Sequence, residues 1–178
     1  MTAADTFEAR LVERFRQGDA NALSTLFEMH VDRVYAYARH ILGSREDAEE
    51  VTYDAFHRAF RKAADFRGDS PFRGWVFGIT RNLCRDRLRQ PKLLLMPLDD
   101  DQSSPDDPEG IAIRVDVRTA VAELPDEYQD VLILCDVEEW DAREVAATLD
   151  RSLAATKSLL YRARRALRDR LTSRWKDA

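Results

Sequence analysis

The stretch DAREVAATLDRSLAATKSLLYRARRALRDR, residues 141–170, decides the fold. Asp141 and Glu144 form an Asp-x-x-Glu helix start for Val145, Ala146 and Leu149. Asp150-Arg151 turns the chain, and Ser152 caps a longer helix with Leu153, Thr156, Leu160, Ala163, Leu167 and Leu171. A short helix, a tight turn and a longer basic helix make a helix-turn-helix. In such an arrangement the second helix lies in the major groove, with its first turns at base edges. Those positions here are Ser152, Ala154, Ala155, Lys157, Ser158 and Arg162. Small residues allow close approach, and Lys157 and Arg162 can reach guanine edges or phosphates. Arg164, Arg165 and Arg168 continue the charge toward flanking backbone. Positions 154, 157, 158, 161, 162 and 165 line up at three- and four-residue steps, which leaves Arg164 aside as a phosphate contact. The bland alternative is a helical hairpin with a basic exterior.

Working outward, nearly every other segment also reads as helix. Phe7, Leu11, Val12 and Phe15 recur at helical spacing over residues 7–17, ended by Gly18. Residues 20–42 carry Leu23, Leu26, Phe27, Val31, Val34, Ala38 and Ile41 on one stripe, stopped by Gly43. Ser44 and Asp47 start a third helix whose apolar stripe is Ala48, Val51, Ala55, Ala59 and Ala63, widened by Phe56 and Phe60. Its opposite face shows Glu46, Glu50 and Asp54. Ser70-Pro71 suits the start of a fourth helix running to about Gln90. A further helix is expected from Pro125 to Val137, with Tyr128, Val131, Leu132 and Cys135 inward. No strand pattern appears. The prediction is an all-α protein of two small helical domains, 1–90 and 111–178, joined by a flexible acidic linker over 91–110. The apolar patch Leu93–Leu98 in that linker either docks on a partner or stays collapsed.

Composition narrows the class. The chain has 178 residues, 44% of them hydrophobic, enough to bury a core. Charged residues reach 34%, above the roughly 25% usual for globular domains. The longest apolar run falls far short of the ~20 residues that cross a bilayer, so no membrane insertion is expected. Asp5 and Glu8 stand where a signal peptide would be basic and then apolar, and the expected compartment is the cytoplasm. Cys84 and Cys135 show no zinc or disulfide spacing. The net charge of −5 conceals three blocks. Residues 61–92 hold nine basic against three acidic residues, 98–150 three against seventeen, and 151–176 nine against one. Two basic blocks on separate helices are an electrostatic footprint for nucleic acid.

The fourth helix is a second candidate site. Phe72, Trp75 and Phe77 are interleaved with Arg73 and Arg81, a mixture suited to unpaired bases and phosphate. Trp75, Val76, Ile79 and Leu83 have the spacing of a buried stripe, so Phe72, Arg73 and the loop before them are the better contacts. No nucleotide loop, nucleophile elbow or paired Glu-x-x-His is present, and no catalytic residue, cofactor or metal is expected.

Three segments resemble bacterial RNA polymerase sigma factors of the extracytoplasmic-function group. SREDAEEVTYDAFHRAFRKAADFRG, Ser44–Gly68, resembles their core-binding helix. PFRGWVFGITRNLCRDRLR, Pro71–Arg89, resembles their promoter-melting and −10 helix. Residues 123–171 resemble their −35 domain. The resemblance implies a sigma factor that binds core polymerase and directs promoter-specific initiation. Core contacts would be Glu46, Asp47, Glu50 and Asp54. The −10 element would fall to Arg67, Ser70, Phe72, Arg73, Arg81, Asn82 and Arg85. The −35 element would fall to Ser152, Ala155, Lys157, Ser158, Tyr161, Arg162, Arg164 and Arg165. Implied partners are the β′ clamp helices and β flap of core polymerase, promoter DNA, and an anti-sigma factor. Three positions depart from the pattern. Asp150 replaces the usual turn glycine, Arg151 the hydrophobic residue after it, and Leu159 an arginine that would contact DNA. Two other classes remain open: a stand-alone helix-turn-helix regulator with an N-terminal helical sensing domain, and a helical metalloenzyme.

Overall fold

A computed structural model of the chain describes residues 3–68, 71–89 and 116–176. All regular structure among them is helical, and the chain divides into two compact units, Met1–Leu95 and Met96–Ala178. The expected linker, with its Leu93–Leu98 patch, lies outside the described residues, as does Ser70.

The first unit contains α1 (Ala3–Arg16), α2 (Ala20–Leu42), α3 (Arg45–Arg61), a single 3₁₀ turn at Ala63–Asp65, and α4 (Phe72–Arg89). Local chemistry sets the boundaries. The Asp19 carboxylate accepts from the amides of Asn21 at 2.9 Å and Ala22 at 3.3 Å, capping α2. Gly43 ends α2 at φ 71°, where its N–H reaches the Arg39 carbonyl at 3.0 Å. Ser44 Oγ then caps α3 through the Asp47 amide at 3.2 Å.

Aromatic rings fill the space between these helices. Phe15 meets Phe72 edge-on at 5.2 Å, Phe66 meets Trp75 at 4.8 Å, and Tyr37 meets Phe77 at 4.1 Å. Leu11, Leu26, Val34, Phe56 and Val76 complete the core. Burying each large apolar side chain contributes about 1.5–3 kcal/mol. Phe7, expected on the apolar stripe of α1, stays exposed.

The second unit contains α5 (residues 116–122), α6 (Asp126–Leu132), α7 (Ala142–Thr148) and α8 (Leu153–Lys176). The single helix expected to Val137 changes character on the way. From Ile133 to Val137 it widens into a π turn, with the Glu138 amide bonding five residues back to the Ile133 carbonyl at 2.9 Å. The five consecutive residues Asp130 to Leu134 are buried where the helix changes character, and Cys135 to Val137 emerge toward the surface. Glu139 then takes φ 53° and the Trp140 amide returns to the Leu134 carbonyl at 2.8 Å, folding Trp140 into the core. Cys135 and Tyr128, expected inward, are only half-buried.

Candidate nucleic-acid interface

The α7–α8 connection is built from backbone bonds that the local sequence demands. Asp141 caps α7 by accepting from the Arg143 amide at 2.8 Å. At the other end the Arg151 amide reaches the Ala146 carbonyl at 2.9 Å and the Asp150 amide the Ala147 carbonyl at 3.4 Å. This is a Schellman closure, and it requires a left-handed residue, here Asp150 at φ 52°. Aspartate thus takes the glycine conformation despite its Cβ. Arg151, lacking the hydrophobic character usual at its position, places its guanidinium 2.6 Å from Glu127 on α6. Ser152 Oγ accepts from the Ala155 amide at 3.1 Å and starts α8.

Beyond that cap α8 has two distinct sides. Thr156, Leu159 and Ala163 are buried. Ala154, Ala155, Lys157, Ser158, Arg162 and Arg165 are exposed, with Tyr161 at 69%. The face expected from three- and four-residue steps is therefore open along its length. One expectation is corrected. Leu159 is 0% exposed, so position 159 packs inward and an arginine there would be buried rather than lost from DNA.

The arginines of α8 also sort into two groups. Arg164 donates from Nε to Asp136 Oδ2 at 3.0 Å and from Nη2 to Oδ1 at 2.5 Å. The Asp136 hydrogen bonds hold its pKa above the ordinary arginine value. Arg170 and Arg174 reach Glu123 at 2.7 and 3.0 Å, and the Trp175 indole reaches Asp116 at 3.4 Å. Lys157, Arg162, Arg165 and Arg168 pair with no acid among the described residues. Sequence placed Arg164 on phosphate; in the structure its guanidinium is paired with Asp136 of the π turn.

In the first unit the −10 candidates are divided. Arg67 and Asn82 are exposed, and Arg73, Arg81 and Arg85 are half-buried. Arg81, Asn82 and Arg85 share one flank of α4 by their spacing. Phe72 is corrected: at 1% exposure its ring sits between Phe15, Phe66 and Trp75, so it supports the loop from below and offers no surface to a base.

The acidic face of α3 is also less uniform than its sequence. Arg87 on α4 donates to Asp47 at 2.9 Å and to Glu50. Asp47, with a side chain only 17% exposed, is an internal partner, whereas Glu50 at 62% remains accessible. Glu46 and Asp54 are exposed. The Asp47 hydrogen bond, joined by the charges of Asp47 and Glu50, outweighs the lowering effect of burial and holds the Arg87 pKa above its ordinary value. The sequence reading missed Arg87, forty positions from its partner. It also missed Tyr53, which stacks on Phe27 at 6.1 Å while staying exposed. The steps Glu46, Glu50, Tyr53, His57, Phe60 could have revealed that mixed face.

Residues 26–92 match Sigma-70 region 2, and residues 114–167 match Sigma-70, region 4. The chain is 30% identical to the ECF RNA polymerase sigma factor SigM of Mycobacterium tuberculosis, across 88% of this chain and 81% of that one. The chain belongs to the ECF RNA polymerase sigma factors. It is 33% identical to SigE of Mycolicibacterium smegmatis over 86% of its own length, and spans 64% of that longer protein. The solved structure of CnrH in complex with the cytosolic domain of CnrY is similar at TM-score 0.70 and 25% identity, covering 92% of this chain and 96% of CnrH. The sigma factor RpoE, solved with the anti-sigma factor NepR from Bartonella quintana, shares the fold at TM-score 0.62 and 20% identity, covering 84% and 96%. In this sigma factor the region 2 match takes in α3 and α4, and the region 4 match takes in α6, α7 and most of α8. No helix among the described residues is long and apolar enough to cross a membrane.

Proposed function

We propose that this chain binds core RNA polymerase and directs it to promoters in the cytoplasm, without a catalytic step, cofactor or metal of its own. The observation that carries the reading is the open cationic face of α8 behind a fully capped helix-turn-helix, on one chain with the acidic α3. Lys157, Ser158, Tyr161, Arg162 and Arg165 face the −35 duplex, with Ser152 and Ala155 where the helix enters the groove. Arg67, Arg73, Arg81, Asn82 and Arg85, with Ser70, serve the −10 strand, and Phe72 acts beneath them as packing. Glu46, Glu50 and Asp54 meet the β′ clamp helices, with Asp47 acting through Arg87. The second unit meets the β flap. The domain limits remain 1–90 and 111–178, with 91–110 as the tether.

Control by an anti-sigma factor is part of the proposal, supported by CnrH and RpoE having each been solved with a bound protein. The test is reconstitution with core polymerase and run-off transcription on genomic promoter fragments. Discrete transcripts that need this chain are expected. Transcription no different from core enzyme alone would remove the reading.

A further inference from the structure

The Arg164–Asp136 pair stands apart from the other ion pairs of α8 in its placement. Steps of four, three and four residues lead from Lys157 through Tyr161 and Arg164 to Arg168, so these four residues share one flank of the helix. Tyr161 belongs to the exposed reading face, and Lys157 and Arg168 are exposed cations without an acidic partner among the described residues. Arg164 is the middle cation of this row, and its Nε and Nη2 both donate to Asp136. Arg170 and Arg174 instead turn to Glu123, and lie nearly half a turn around the helix from Tyr161 and Arg165.

The pair is not what holds the unit together. Val131, Leu134, Leu159 and Ala163 are buried in the core of the same unit, and an exposed ion pair is worth at most about 1 kcal/mol. What the pair does is chemical. Two parallel N–H donors on a carboxylate are the arrangement a guanidinium also uses on phosphate. A DNA phosphate that takes this Nε/Nη2 edge in the same two-pronged way must displace Asp136. The carboxylate is held in place by the π turn, a widened backbone that often marks functional positions.

We propose that Asp136 is a negative determinant of DNA binding, an internal stand-in for phosphate that withholds Arg164 from the backbone beside the −35 site. The inference rests on the −35 reading of α8. It makes the row Lys157, Arg164, Arg168 a backbone contact of which two members are permanently available and the third is conditional. Binding that opens the Arg164–Asp136 pair adds one phosphate contact; binding that leaves it closed does not.

The experiment uses holoenzyme reconstituted with wild-type chain, Asp136→Asn, Asp136→Ala, Arg164→Ala and the double variants. Affinity is measured on a promoter fragment recovered by holoenzyme selection and on a mixed-sequence duplex of equal length, from about 50 to about 200 mM salt. Both Asp136 variants should bind both duplexes more tightly at low salt, because phosphate contacts carry no sequence. Their affinity should fall about three- to fourfold more steeply than wild type over that range, the effect of one added phosphate contact. Arg164→Ala in the same chain should abolish the gain. A gain that survives Arg164→Ala, or a loss of binding on removing Asp136, would overturn the inference while leaving the sigma-factor reading standing. Wild-type holoenzyme that binds the fragment no better than core alone would sink both.

Discussion

The two units solve the same problem, packing a few helices, with different chemistry. In the first, α1, α2 and α4 meet through Phe15, Phe66, Phe72, Trp75, Tyr37 and Phe77, rings in edge and tilted contact. In the second, the core holds Leu124, Val131, Leu134, Val145, Leu159 and one tryptophan, and ion pairs join α5, α6 and the π turn to the turn and helix beyond. Aromatic packing is specific in shape and indifferent to salt. Exposed ion pairs are weak individually and screened within about 10 Å at moderate salt. The unit proposed to open DNA thus rests on ring-to-ring packing, while the unit proposed to read duplex carries surface charges already paired with one another.

The largest test of this contrast is Leu159→Arg. It restores the residue expected from the family pattern but places an unpaired charge in the smaller core, and should cost at least about 4–5 kcal/mol. Loss of hydrogen-exchange protection confined to residues 116–176 is the expected sign. A folded variant with improved −35 binding would show that α8 can rotate to expose this position.

Phe72→Ala comes next, at about 3–5 kcal/mol. Because the ring is core, transcription should fall equally on duplex and pre-melted promoters. Selective loss on duplex templates would return Phe72 to the set of base contacts.

Arg87→Ala should cost about 1–3 kcal/mol by leaving the shielded Asp47 carboxylate without its cation. Urea unfolding of the variant should show the loss, and Asp47→Asn in the same background should recover part of it. Full additivity of the two changes would mean that the pair does not couple α3 to α4.

Asp150→Gly is the smallest. Relief of the left-handed backbone is offset by the entropy glycine adds to the unfolded chain, so stability should shift by no more than about 1 kcal/mol. A thermal midpoint displaced far beyond that would mean the aspartate side chain has a role outside the turn.

Much of this fold was legible because its signals are local. Ser44, Asp141 and Ser152 cap the helices they were expected to start, and α2 spans the 20–42 read from its apolar stripe and Gly43. Asp150 accepts the left-handed backbone required of the turn. What sequence could not supply is which side of a helix a neighbour covers. Phe72 reads equally well as a base-stacking or a core ring until Phe15 and Phe66 are seen around it. Position 159 was matched by family pattern, and only the packing of α8 shows that it lies with Thr156 and Ala163. The Arg87–Asp47 and Arg164–Asp136 pairs join residues 40 and 28 positions apart, beyond any spacing rule. The π turn at Ile133–Val137 breaks a segment whose apolar spacing reads as one continuous helix.

The clasp between Arg151 and Glu127 bears on how this sequence can drift. A hydrophobic residue after the turn could change among several apolar types with little effect on its neighbours. Arginine binds its fate to an acid 24 residues earlier. Reversing the sign at either position alone sets like charges at the joint that orients the reading helix. Since an exposed pair contributes at most about 1 kcal/mol, the constraint is soft, and a lineage can pass through a neutral intermediate such as glutamine. Descendants of this chain should therefore show paired changes at 127 and 151, with both charges kept or both discarded.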